Sequence, residues 1–160
     1  MATATEKAAF IDRVWTEIKG ENMDGFFPSV LIAQAALESN WGLSSLAAKY
    51  NNYFGIKAGS SWTGQTVNMK TNEVFNGLNT TISSDFRVYN SLLDSVRDRN
   101  KLLSTSRYAA VKQAQTPLEQ IQAIKNSGYA TALNYVNSIV STINANSLYK
   151  FDDLKKNHEQ

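Results

Sequence analysis

Phe27-Pro-Ser-Val-Leu-Ile-Ala-Gln-Ala-Ala-Leu-Glu-Ser-Asn-Trp-Gly42 is the stretch on which the reading of this chain turns. From Phe27 to Leu37 it is almost wholly apolar, with Pro28 suited to open a helix and Gly42 suited to close one. A helix apolar all round belongs inside a protein. This one would deliver a carboxylate, Glu38, at its C-terminal end, where burial and the negative pole of the helix both disfavour ionisation. A carboxylic acid kept protonated near neutral pH is what cleavage of a glycosidic bond requires of its general acid. The same residues also read as a core helix whose last side chain points at water, and the segment alone does not choose between the two.

The rest of the composition narrows the choice. A chain of 160 residues with 42% hydrophobic and 19% charged residues is sized and patterned as one globular domain. Its net charge of +2 is far from the basic stripe of a nucleic-acid binder. No apolar run reaches the roughly 20 residues of a membrane span. The start Met-Ala-Thr-Ala-Thr-Glu-Lys lacks the pattern of a signal peptide, so export by another route, phage release or excision from a longer protein is expected. There is no cysteine, and the one histidine, His158, lies in the polar stretch Lys-Lys-Asn-His-Glu-Gln. Thiol nucleophiles, Ser-His-Asp triads and two-histidine zinc sites therefore have nothing to be built from. No Gly-rich phosphate loop is present. Neither a metal nor a cofactor is expected, and carboxylates, tyrosines and amides are left to do any chemistry.

Around the central helix the pattern is mostly helical. Residues 5–19 space Phe10, Val14, Trp15 and Ile18 along one face. Ser44 can cap a short helix. Tyr50-Asn-Asn-Tyr-Phe-Gly-Ile-Lys57 is an aromatic, amide-rich loop whose rings could stack on sugars or pin a turn to the core. Between Trp62 and Tyr89 the periodicity shifts to alternation, with Asn76-Gly77 a strong hairpin signal, so two or three antiparallel strands are expected. Glu73 falls near that hairpin; by itself it reads as a solvated strand residue. A helix is expected from Ser91, with Asp94, Arg97, Asp98, Arg99 and Lys101 as a solvated face. Thr116-Pro-Leu-Glu119 starts another helix, and Tyr135, Val136, Ile139, Val140 and Ile143 mark a last one. Residues 5–152 form the expected domain, with 153–160 a polar tail or linker.

Four motifs carry a family resemblance: Ala-Leu-Glu38-Ser-Asn-Trp-Gly42, Asn52-Tyr-Phe-Gly-Ile-Lys57, Phe86-Arg-Val-Tyr89 and Gly128-Tyr-Ala-Thr131. In this order and spacing the chain resembles glycoside hydrolase family 73, the bacterial and phage enzymes that cut peptidoglycan. The resemblance runs from about Phe10 to Asp152. It implies an α+β, lysozyme-like fold: a mostly helical lobe, a small β-hairpin lobe and a cleft between them. It implies Glu38 as catalytic acid, Glu73 as a second carboxylate and Tyr129 beside them, with Asn52, Phe54, Tyr53, Trp41 and Tyr135 as substrate contacts. The implied substrate is the glycan strand of peptidoglycan, met at the bacterial cell wall by a monomer. Either Glu73 activates a water, or the 2-acetamido group of the substrate attacks. Lytic transglycosylase or muramidase-type cleavage on the same fold and a non-catalytic wall-binding module are the rival readings. The chain departs from the family at Thr131-Ala132-Leu133, where Thr-Asp-Pro is usual; a weakened helix start is expected there, with Thr131 as the substitute cap.

Overall fold

The computed structural model describes the backbone of every residue except Thr131 and Gln160, and side chains, Thr131 aside, through Lys156. The helices are α1 (Ala4–Ile18), α2 (Pro28–Glu38), α3 (Ser45–Tyr50), α4 (Leu92–Leu102), α5 (Ala109–Gln113), α6 (Pro117–Asn126), α7 (Tyr135–Ala145) and α8 (Tyr149–Glu159). Strands β1 (Thr66–Phe75) and β2 (Leu78–Arg87) form one antiparallel hairpin between α3 and α4.

The apolar run makes α2 the axle of the helical lobe. Every residue from Pro28 to Ala36 is buried, and α1, α6, α7 and α8 pack around it. Pro28 removes one donor at its start, and two of the remaining N-terminal donors are met from other elements. Phe27 N–H donates to Gln120 Oε1 of α6 at 2.9 Å, and Ser29 N–H donates to Asp152 Oδ1 of α8 at 2.8 Å.

Asn76 and Gly77 lie at φ +51° and +80°, the left-handed pair that a two-residue hairpin turn needs. The register pairs Glu73 with Thr80 and Val67 with Phe86. Residues 56–58 line the other edge of β2, with Arg87 N–H donating to Ile56 O and Ala58 N–H to Asp85 O. The loop after α3 thus ties the hairpin to the helical lobe.

Two expectations are corrected. The stretch from residue 153 is no frayed tail: α8 continues to Glu159, Phe151 stacks on Trp15 at 4.9 Å, and Lys155 Nζ donates to Lys19 O at 3.0 Å. The charged run on α4 is not one solvated face either. Arg99 has no exposure, and Asp98 pairs with Arg87 at 2.8 Å and accepts from the Tyr89 hydroxyl; Arg97, bound to Glu21, and Lys101 are exposed as expected. Helix α7 begins with Asn134 in the cap position and no side-chain cap bond, as the altered motif predicts. Thr131, the expected substitute cap, lies outside the described residues.

Candidate active site

The residues after Glu38 explain why α2 stops there. Ser39 is buried; its hydroxyl donates back to Ala35 O at 2.6 Å and accepts the Gly42 N–H at 2.8 Å. Asn40, Trp41 and Gly42 all take left-handed backbone angles, folding the chain sharply away from the helix axis. A Cβ on Gly42 would meet Phe10 Cδ1 at 2.9 Å, so only glycine fits that approach. Glu38 is left as the final helical residue, on the same face as Gln34 one turn earlier.

Glu38 is reached by solvent yet hemmed in by protein. Loss of hydration pushes its carboxyl up from 4.5 to about 7, and no neighbouring charge contributes to that shift. Gly55, at φ +65°, brings the backbone of the aromatic loop against the carboxylate: a Cβ there would stand 3.4 Å from Glu38 Oε2. Two tyrosines feel the Glu38 charge. Tyr129, from the loop before α7, donates its hydroxyl to Phe54 O at 3.2 Å; burial and then the Glu38 charge drive its titration well up. Tyr135, the first residue of α7, is buried and shifted the same way for the same reasons.

Beneath them runs a buried polar chain. Arg99 Nε donates to Gln34 Oε1 at 2.9 Å, and Gln34 Nε2 donates to Tyr135 Oη at 3.0 Å. Arg99 Nη1 donates to Asn100 Oδ1 at 2.8 Å, while Nη2 has no partner among the described residues. The guanidinium lies over Phe26 at 5.2 Å and Phe54 at 5.8 Å. Burial pushes it down to about 10, opposed by the two tyrosine hydroxyls, so it stays cationic at neutral pH.

The structure gathers Glu38, Tyr129 and Tyr135, and changes the part taken by other expected residues. Asn52, Tyr53 and Phe54 are 1–2% exposed, so the expectation that they face the sugar is corrected. Asn52 staples the loop, donating to Ile56 O and Arg87 O and accepting the Ile56 N–H. Tyr53 N–H donates to Ser95 Oγ, and the Phe54 carbonyl holds Tyr129. These residues build the wall behind the site. Trp41 is engaged by α1, with its ring edge-on to Phe10 at 6.2 Å and Lys7 Nζ 5.1 Å from its centroid. Glu73 lies on the hairpin, paired with Lys57 at 2.8 Å. Gln34, Arg99, Gly55 and Lys57 escaped the sequence reading as site residues. A polar Gln34 inside an otherwise apolar helix was the available signal, since a buried amide demands partners.

A helical lobe, a β-hairpin lobe and one carboxylic acid at the end of the buried helix define a lysozyme-like glycoside hydrolase. The model of the Glucosaminidase family, described as mannosyl-glycoprotein endo-beta-N-acetylglucosaminidase, matches residues 17–148, and the chain belongs to that family, glycoside hydrolase family 73. It is 38% identical over 133 residues to the exo-glucosaminidase LytG of Bacillus subtilis, covering 79% of this chain and 46% of that protein. It is 37% identical over 160 residues to a probable N-acetylmuramidase of Lactococcus lactis subsp. lactis, covering 94% and 36%. The chain thus spans less than half the length of either relative. The catalytic domain of the autolysin Auto of Listeria monocytogenes superposes with a TM-score of 0.78 at 32% identity, over 95% of this chain and 90% of that one.

Proposed function

We propose that this chain hydrolyses the β-1,4 bond between N-acetylglucosamine and N-acetylmuramic acid in peptidoglycan, with Glu38 as general acid. The observation that carries the reading is the place of Glu38: the last residue of the buried helix, solvent-accessible, packed against Gly55, with loss of hydration pushing its carboxyl up to about 7. Glu38 gives its proton to the 4-oxygen of the departing N-acetylmuramic acid as the bond to the anomeric carbon breaks. The oxocarbenium-like centre then takes water activated by Glu73, or is first captured by the carbonyl of its own 2-acetamido group. In either route Tyr129, whose proton is spent on Phe54 O, has lone pairs to offer the acetamido N–H. The enzyme acts at the bacterial cell wall, secreted or phage-released, as a monomer on glycan strands.

The names of the relatives differ over which bond is cut, so the product decides. Purified peptidoglycan is digested, reduced with borohydride and read by mass spectrometry. Reduced N-acetylglucosamine ends are expected. Reduced muramic ends would make the enzyme a muramidase, and anhydromuramic ends a lytic transglycosylase. Protein that pellets with the wall and releases nothing would be a binding module. Glu38→Gln should release no fragments while keeping its fold; full activity in that variant removes the assignment. Near-normal turnover in Glu73→Gln would exclude Glu73 as an obligatory base and leave the acetamido route.

A further inference from the structure

Resting on Glu38 as the acid, we propose that Arg99 is a positioning residue of the active site. Through Gln34 it fixes the direction of a hydrogen-bond chain so that the Tyr135 hydroxyl proton is turned out of the core, towards Glu38 and the substrate.

The direction follows from what each group can do. A guanidinium donates and never accepts. Gln34 must therefore turn Oε1 to Arg99, 2.9 Å away, which leaves Nε2 facing Tyr135 at 3.0 Å. An amide nitrogen only donates, so Tyr135 Oη accepts and its single proton is released from the chain. A buried hydroxyl proton without an acceptor is costly. Gln34 Nε2 occupies the inner side of Tyr135 Oη, so the proton points away from Gln34, out of the chain. With an apolar residue at 99, the Gln34 amide could turn over and take that proton on Oε1, and Tyr135 would face the substrate as an acceptor only.

The placement is costly in itself. Arg99 has no exposure and one guanidinium nitrogen lacks a partner among the described residues, where an apolar side chain would pack at lower cost. The chain joins α4, α2 and α7, and Gln34 lies one turn before Glu38. With Tyr129 donating inward to Phe54 O and Tyr135 releasing its proton, the two tyrosines present opposite polarity to the same acid: one accepts and one donates.

A double-mutant cycle on peptidoglycan turnover tests this. Gln34→Glu still accepts from Arg99 but has no N–H to give, so it takes the Tyr135 proton inward. Gln34→Glu and Tyr135→Phe should each lower kcat roughly tenfold with KM little changed, the loss of one charge-assisted hydrogen bond. The double variant should be no worse than either single one. A double loss of about a hundredfold, the product of two independent effects, would overturn the proposal, as would a fully active Gln34→Glu. If Gln34→Glu does not fold, Arg99→Lys and Arg99→Gln decide. Lysine can only donate and should keep kcat within about threefold, whereas glutamine can also accept and should lose about tenfold. Equal kcat in these two folded variants overturns the proposal. Glu38→Gln run alongside separates the two levels: its full activity would remove the general acid itself, whereas an inactive Glu38→Gln with an additive cycle would remove only the role of Arg99.

Discussion

Gly55 stands against Glu38 so closely that a β-carbon at residue 55 would lie 3.4 Å from Glu38 Oε2. The glycine does two jobs there. It adopts φ +65°, which other residues avoid, and by lacking a side chain it leaves the carboxylate open on that side. In Gly55→Ala, the left-handed backbone should cost about 1 kcal/mol of stability. The added methyl strips more water from the carboxylate, so the titration of Glu38 should move further up. Denaturant melts read the first effect, and the alkaline limb of the pH–activity profile, displaced to higher pH, reads the second.

Glu38 also makes stability depend on pH. Its carboxyl titrates near 4.5 in an unfolded chain and at about 7 in the folded one. Between these values the folded protein holds a proton that the unfolded chain has released. Stability therefore falls as pH rises from about 4.5 to about 7, and this contribution is flat on either side. Glu38→Gln removes the slope, and the variant should be more stable than the parent above pH 7 relative to their difference below 4.5. Urea midpoints of both proteins on either side of that window check this. Turnover by the parent should decline through the same upper value, since the acid must be protonated to act.

What could be read from residues alone was what depends on local pattern. The axle helix α2 showed itself because an apolar run bounded by Pro28 and Gly42 has one physical use. Asn76-Gly77 showed itself because few other pairs tolerate two left-handed residues in succession. Helix α8 was missed because, Phe151 aside, the contacts that dock it are made by polar atoms. Asp152 reaches Ser29 and Lys155 reaches Lys19 O, contacts that no hydrophobic period reports. Arg99 was missed because its charged neighbours on α4 hid it: a sign-alternating run looks the same whether one cation points to water or inward. Tyr53 and Phe54 show a further limit. An aromatic in a loop can stack on a ligand or anchor the loop, and packing on α4 decided for the anchor here.

The hairpin turn offers a clean test of conformational strain. Gly77 lies at φ +80° with nothing within 4 Å of the position its β-carbon would take. Gly77→Ala therefore meets no clash and should lose only the left-handed backbone term, about 1 kcal/mol. The loss should be local. Amides of β1 and β2 near residues 73–80 should exchange faster, while those of α2 keep their protection.

At the other end of α2, Asp152 works as a cap supplied from a distant helix. Its Oδ1 accepts the Ser29 N–H at 2.8 Å and its Oδ2 accepts the Ser29 hydroxyl at 2.7 Å. Phe27, in the cap position, has no side-chain bond of its own to give. Asp152→Ala leaves both Ser29 donors without partners in a buried turn and should cost about 1–3 kcal/mol. Ser29→Ala removes one donor along with its bond and should cost less. Because the two residues share their interaction, the double variant should lose less than the sum of the singles. Ser29 is nine residues before Glu38, roughly 14 Å along the helix, so these losses belong to stability and not to chemistry. Thermal melts should shift in all three variants while kcat, measured well below each melting point, stays at the parental value.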